Sequence, residues 1–248
     1  QVWICVSSTA LPSLDRLLSA LCGHPAALVA LQPGLGDRAW LEARWPAERI
    51  VSGVIMFIAY QAPLPGEEGL EAPGVAFWLP PASPCPFAGS PADVEALLTV
   101  LRAGGLAASH DPSGPGRAAM LSAILMPNLV ALEAEGWSLT RFVASPSRRL
   151  AARAAAEALD IVHADTGRRA GAGLRWLGLR GLGSGLRLGQ RIMPLPLEPY
   201  LAYHFTKVGD QTREMIQAYI GRGSAADLPV AALRELCELP GFDTRGSS

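Results

Sequence analysis

The sequence predicts an α/β domain on a mainly parallel sheet, followed by an all-α domain. Three observations carry this. Short apolar runs alternate with helical periodicity over the first hundred residues, the pattern of a parallel sheet with crossover helices. A Pro/Gly-rich break follows at Asp111-Pro-Ser-Gly-Pro-Gly116. After it, nearly every periodic segment reads as helix. The predicted domains are residues 1–112 and 113–248.

The elements follow in order. Val2 to Val6 is a continuous apolar run, as a strand covered on both faces requires. Leu14 to Leu21 has helical spacing with Asp15 and Arg16 on the polar side, and Ala26 to Leu31 is the next strand. Gln32-Pro33-Gly34-Leu35-Gly36 makes a turn into a helix over Asp37 to Arg44, with Asp37 as its N-cap. Ile50 to Tyr60 is β-branched and aromatic, hence strand. Ala62 to Gly74 is a Pro/Gly/Glu loop whose Glu67, Glu68 and Glu71 read as solvated. Val75 to Leu79 is a strand, followed by a Pro-rich turn. Ser90-Pro91 opens a helix with Ser at the N-cap and Pro at N1; it stops at Gly104-Gly105. Leu106 to Ala108 is the last strand.

Beyond the break, Arg117 to Glu135 is a helix with Pro127 expected to kink it. Ser138 starts a short segment. Pro146 to Val162, Pro196 to Gly221 and Pro229 to Leu239 are further helices. Gly171 to Gly189 alternates Leu, Gly and Arg inside a segment, 141–191, with ten arginines against three acids. It reads as a glycine-loosened connection with solvated arginines; an anionic partner or a membrane surface is the alternative use. Gly181-x-Gly183-x-Gly185 follows no strand and does not qualify as a dinucleotide fingerprint.

Composition narrows the function. The chain has 248 residues, half of them apolar, with a formal net charge of −1. Bulk nucleic-acid binding is not suggested. Cys5, Cys22, Cys85 and Cys237 form no C-x-x-C pair, so a reduced, cytoplasmic protein without a zinc site is expected. No apolar run reaches the roughly 20 residues of a membrane span, and no signal peptide is visible. Gln1 to Val6 already reads as buried strand, so the chain is expected to lack an N-terminal part.

Two constellations carry chemistry. Glycines at the strand–helix junction, Gly34 and Gly36, allow close backbone approach, at the end of the sheet where ligands bind in open α/β folds. On a continuous helix, Tyr200, His204, Lys207 and Gln211 fall at i, i+4, i+7 and i+11, one face of aromatic, imidazole, ammonium and amide groups. His204 exchanges a proton near neutral pH, and Lys207 binds an anion or acts as an acid. A solvated or inter-helix polar face is the alternative. Asn128 sits on an apolar helix next to Pro127, either satisfying a kink or contacting a ligand.

The stretch Leu31-Gln32-Pro33-Gly34-Leu35-Gly36, followed by Pro46-Ala-Glu-Arg-Ile-Val-Ser-Gly-Val54, resembles the ketopantoate reductase family of NADP-dependent oxidoreductases, which carry a Q-N-G-L-G turn before P-A-E-R-V-x-G-G-V. The resemblance continues through Asp111 and Met126-Pro-Asn-Leu-Val-Ala-Leu132. It implies a Rossmann-type domain joined to a helical domain, with the active cleft between them. It also implies NADP as cofactor, with most of its site in the lacking segment, and a cofactor-side role for Gln32 and Gly34. Reactive positions differ. Pro33 replaces the family's asparagine, Ser7-Ser8-Thr9 its V-K-A, Ala119 its proton-donating lysine and Ala123 its substrate-orienting asparagine. The family's serine and glutamate on the later helix have no counterpart in register.

The expected function is therefore reduction of a small carbonyl compound other than ketopantoate by an NAD(P)-dependent oxidoreductase. His204 and Lys207 are the catalytic candidates, and Asn128, Tyr200 and Gln211 the substrate contacts. A homodimer is compatible with this. The alternative is a non-catalytic binding or scaffold protein with the same fold.

Overall fold

The computed structural model describes residues 1–65, 67, 72–176, 178, 182–190 and 193–242. Glu68, Glu71, Gly181, Arg180 and Arg191 lie outside them. Two compact units emerge: Gln1–Ile58 with Phe77–Ala119, and Ala59–Ala76 with Met120–Ser248. The division falls at two places the sequence does not mark, within a strand pair and within a helix.

In the first unit a five-stranded sheet has the order β1-β2-β3-β6-β7, formed by β1 (Val2–Ile4), β2 (Leu28–Ala30), β3 (Ile50–Gly53), β6 (Cys85–Ala88) and β7 (Ala108–His110). Pairing is parallel except between β3 and β6. This is the predicted mainly parallel sheet with one antiparallel junction. Strand β6 was not expected: Pro84 and Pro86 made it read as turn. Cys85 and Phe87 nevertheless point into the core at 1% exposure each, and they decide the matter.

Successive residues of the strands serve opposite faces, as strand geometry requires. Leu28, Ala30 and Ile50 pack with Leu18 of α1 (Asp15–Leu21) and with Leu41 of α2 (Asp37–Glu42). Val29 and Val51 pack instead with Phe87 and with Val94, Leu97 and Leu98 of α3 (Pro91–Ala103). Ser90 caps α3 as predicted, its hydroxyl accepting from the Asp93 amide. The expected single strand over 50–60 is two: β3 ends at Gly53, and β4 (Ile58–Ala62) pairs instead with β5 (Gly74–Trp78) in a two-stranded sheet.

The Pro/Gly-rich break at 111–116 contains the start of a helix. Asp111 accepts from the amide (2.8 Å) and hydroxyl (2.6 Å) of Ser113 and pairs with Arg117. The serine hydroxyl, then its amide, hold the Asp111 carboxyl below its usual range. Helix α4 (Gly114–Ala134) begins there; a proline in a first turn costs nothing because that N–H has no helical partner. By length and composition α4 also qualifies as a membrane span, with mean hydropathy 1.3, although 56% of that window is buried within the protein. Read residue by residue its apolar run is broken by Arg117, Ser122 and Asn128; averaged over the helix it is not.

The second unit is helical: α5 (Leu139–Ala144), α6 (Ser147–Thr166), α7 (Ala172–Trp176), α8 (Leu182–Gly189), α9 (Leu197–Lys207), α10 (Gly209–Ala225) and α11 (Ala231–Leu236). Helix α6 is central. Its stripe Leu150, Ala151, Ala154, Ala158, Ile161 and Val162 is buried, and α10 and α11 pack on this helix. Alanines let the backbones approach closely, and Gly223 of α10 takes this to its limit: a Cβ there would lie 2.8 Å from Ile161. Carboxylates then tie helix starts to neighbours. Glu157 of α6 accepts from the Ala232 and Leu233 amides at 3.0 and 2.9 Å, and Glu198 of α9 accepts from Leu139 at 2.7 Å. Each satisfies N–H groups that a helix leaves orphaned.

Candidate functional site

The first candidate lies where β1 and β2 end side by side. The Gln32 side chain bridges them. Its Nε2 donates to the Ile4 carbonyl at 3.0 Å and the Val6 carbonyl at 2.7 Å, and its Oε1 accepts from the Leu31 amide at 3.1 Å. Pro33 has no N–H. The Gly34 amide donates to Asp37 Oδ2 at 2.7 Å, and buried Ser8 donates its hydroxyl to the same oxygen at 2.6 Å.

Asp37, expected as the N-cap, is instead the first residue of α2, after Gly36, and its carboxylate folds back over the turn. A Cβ on Gly34 would stand 2.5 Å from that oxygen, so any larger residue here displaces the Asp37 carboxylate from the turn. Arg38 then fastens the helix to the turn before β3 through the Ala47 carbonyl (3.0 Å), and to β3 itself through the Ile50 carbonyl (3.1 Å) and the Ser52 hydroxyl (3.2 Å). The turn offers few free donors to a ligand, since Pro33 lacks one and those of Gln32 and Gly34 are engaged.

The second candidate lies in the helical unit, around α9. The expected face does not run unbroken. At Val208 the backbone leaves the helical region (φ −107°, ψ 23°), and α10 starts afresh at Gly209. A β-branched residue followed by glycine is a weak place in a helix, so two helices replace one. Tyr200, His204 and Lys207 stay together on α9; Gln211 belongs to the first turn of α10.

On α9 the buried Tyr200 ring stacks on His204, centroids 5.5 Å apart and planes 22° apart. His204 meets the Phe205 edge at 4.8 Å, and Phe205 stacks on Trp137 at 6.4 Å. From β4, Tyr60 adds its ring to Tyr200 at 5.8 Å. Burial, and then the Lys207 ammonium, pull the His204 pKa below its ordinary value. Its imidazole is therefore neutral at pH 7, able to accept a proton at one nitrogen. Burial raises the Tyr200 phenol, which stays protonated.

Sequence reasoning missed the β4 side of this cluster. Glu67, read as solvated, accepts from the Tyr60 hydroxyl at 2.9 Å and the Leu64 amide at 2.8 Å. Burial, then this carboxylate, raise the Tyr60 phenol. The available signal was the period-2 pattern Ile58-Ala-Tyr-Gln-Ala62, in which Tyr60 and Ala62 face inward. Beside it, Gln61, Ala62, Pro63, Pro65, Pro73 and Tyr203 line a cavity of about 400 Å³. The Tyr203 hydroxyl reaches Gln61 Oε1 at 3.4 Å.

Asn128 is 5% exposed, and its Nδ2 donates to the Ile124 carbonyl of its own helix at 2.7 Å. Ala123 is fully buried. Of the arginine-rich segment, Arg153 pairs with Glu235, Arg175 with Asp160, and Arg141 holds the carbonyls of Glu135 and Gly136.

No family model matches the sequence, and no curated protein matches it. Solved structures do. D-mandelate dehydrogenase in ternary complex with NADH and anilino(oxo)acetate superposes with a TM-score of 0.68 at 14% identity, covering 96% of this chain and 74% of that one. 2-Dehydropantoate 2-reductase from Geobacter metallireducens gives 0.67 at 16%, covering 96% and 75%. Dimeric ketopantoate reductase from Staphylococcus aureus gives 0.63 at 12%, covering 94% and 73%. The chain has a divergent ketopantoate-reductase-like fold: a mixed, mainly parallel sheet domain with a helical C-terminal portion.

Proposed function

We propose that this chain is an oxidoreductase that uses a nicotinamide nucleotide, of the NADP type by its sequence resemblance, to reduce a small carbonyl compound other than ketopantoate. The observation that supports this most is the agreement over 96% of the chain with a dehydrogenase bound to NADH and a small oxo acid derivative. The cofactor, when bound, supplies the hydride. Gln32 and Gly34 do not fit a phosphate cradle, because their donors are engaged and the Asp37 carboxylate repels a second anion. Their part is to shape the turn toward an uncharged portion of a ligand.

For the protein's own chemistry we assign proton exchange with the substrate oxygen to His204. A group that accepts a proton at neutral pH suits oxidation of an alcohol; carbonyl reduction requires His204 to be protonated first, and so is favoured toward acid. Lys207, exposed at the end of α9, is assigned to an anionic group of the substrate, and Tyr200 and Gln211 to substrate contacts; Asn128, buried and bonded to the Ile124 carbonyl, satisfies its own helix instead. Ala119 and Ala123 exclude the family's lysine and asparagine chemistry here.

The test is NADPH and NADH binding by the full-length protein, measured by calorimetry and fluorescence, then turnover of a panel of 2-oxo acids with either nucleotide. Binding and turnover support the reading. Absence of nucleotide binding overturns it in favour of a non-catalytic binding protein. The engaged Gly34 amide is the observation that favours that second reading.

A further inference from the structure

We propose that the cavity between the ends of α6 and α10 binds a free aliphatic amino acid as its zwitterion. The inference does not depend on the oxidoreductase reading, and every residue it uses lies in the helical unit. Helices α6 and α10 are in close contact where Ile161 meets Gly223. Beyond that contact the side chains are too small to fill the space. Ile161, Ala164, Ala225, Ala226 and Leu228, with Asp165 and Arg222, line a cavity of about 250 Å³. Ala164, Ala225 and Ala226 are exposed, so the cavity opens to solvent. In its wall Arg222 Nη1 donates to Asp165 Oδ1, and each side chain of the pair is about one third exposed. Asp165 stands in the last turn of α6, where a negative charge opposes the helix dipole, so it does not serve that helix.

This lining sets the chemistry of the ligand. A plain carboxylate gains Arg222 but faces Asp165, and a plain amine gains Asp165 but faces Arg222. A molecule with ammonium and carboxylate on one carbon answers both, each end in a charge-assisted hydrogen bond. The carbonyls at the end of α6 favour the ammonium as well. Opening the ion pair to admit it costs little, because pairs this exposed contribute little. The remaining walls are aliphatic and take an aliphatic side chain. The volume lies below the roughly 300 Å³ at which drug-sized sites begin, which limits the ligand to a single amino acid.

Titration of the isotope-labelled full chain with L-leucine, followed by amide NMR shifts, tests this. Shifts should move at 161–166 and 222–228 and saturate with a Kd of about 0.1–1 mM, ordinary for so small a ligand. Isocaproate, which lacks the ammonium, and isopentylamine, which lacks the carboxylate, should each bind at least about tenfold more weakly. Arg222→Gln and Asp165→Asn should each weaken leucine binding by a similar factor with unchanged circular dichroism. If either unfolds, Ala226→Leu, which fills the cavity and leaves the pair intact, should abolish binding. No saturable shift up to about 10 mM leucine, equal affinity for either one-charge analogue, or shifts centred away from the cavity overturns the proposal. So does a folded variant of these three that binds leucine as the wild type does.

Discussion

The turn at Gln32–Asp37 and the face of α9 at Tyr200–Lys207 are both polar clusters, but they spend their groups differently. At the turn, the Gln32 amide, the Gly34 N–H and the Asp37 carboxylate are engaged with the protein itself. At α9, His204 is held by ring stacking, and its imidazole makes no hydrogen bond among the described residues. A family-like motif can thus persist as architecture. Chemistry is to be sought where polar atoms are positioned by packing and left uncommitted.

The largest expected effect separates the two clusters directly. His204→Gln should lower turnover about 100-fold or more, the usual contribution of a proton-transfer group. Its stability should fall by no more than about 1.5 kcal/mol, the worth of an aromatic pair. Steady-state kinetics beside a urea melt measures both. Full activity in that variant would erase the distinction.

Gln32→Ala should do the reverse. It strands three backbone groups at the strand ends, and each unsatisfied group costs about 1–3 kcal/mol when buried; partial exposure here sets the total at about 2–3 kcal/mol. Nucleotide affinity of the folded protein should fall by well under about tenfold, since Gln32 shapes the turn without donating to the ligand. A stable variant that binds nucleotide tenfold more weakly would make the turn a binding device after all.

Gly34→Ala probes the same turn from the glycine side. Alone it meets the Asp37 carboxylate and should cost about 1–2 kcal/mol. In an Asp37→Ala background that cost should largely vanish, a non-additivity expected of groups in direct contact. Additive costs would mean that the glycine serves something other than Asp37.

The smallest effect is pH-dependent. His204 has a lowered pKa in the folded state, so the unfolded chain binds more protons near and below the ordinary histidine pKa. Stability contributed by the neutral ring is complete above that pH and falls as the solution is acidified through it. His204→Phe should flatten this part of the profile in melts between about pH 5 and 8. An unchanged slope would show that His204 is not the group responsible.

Much of the fold was legible because its signals are local. Ser90-Pro91 and Gly104-Gly105 bracket α3 by chemistry that acts within four residues. Strand β6 was illegible because its prolines argue against a strand, whereas burial of Cys85 and Phe87 overrides them. The break at Val208 hides in a pattern that continues in phase for a reader who assumes one helix. Within the α9 cluster, Tyr200 and His204 could be placed from spacing alone. Tyr60 and Glu67 could not, since they arrive from more than 130 positions earlier in the chain. The fold of Asp37 onto Gly34 was equally hidden: an aspartate at a helix start reads as a cap whichever way its carboxylate turns.

The carboxylate of Glu157 has a consequence for how the molecule comes apart. Helix α11 is six residues long, far too short to persist alone in water. It exists because Glu157 receives its first amides and the alanine stripe of α6 receives its apolar side. The last helix is thus a built-in reporter. The amide hydrogen of Leu233, bonded to Glu157, should exchange with solvent chiefly when α11 leaves α6, so its protection factor should report how often that side of the central helix is laid bare.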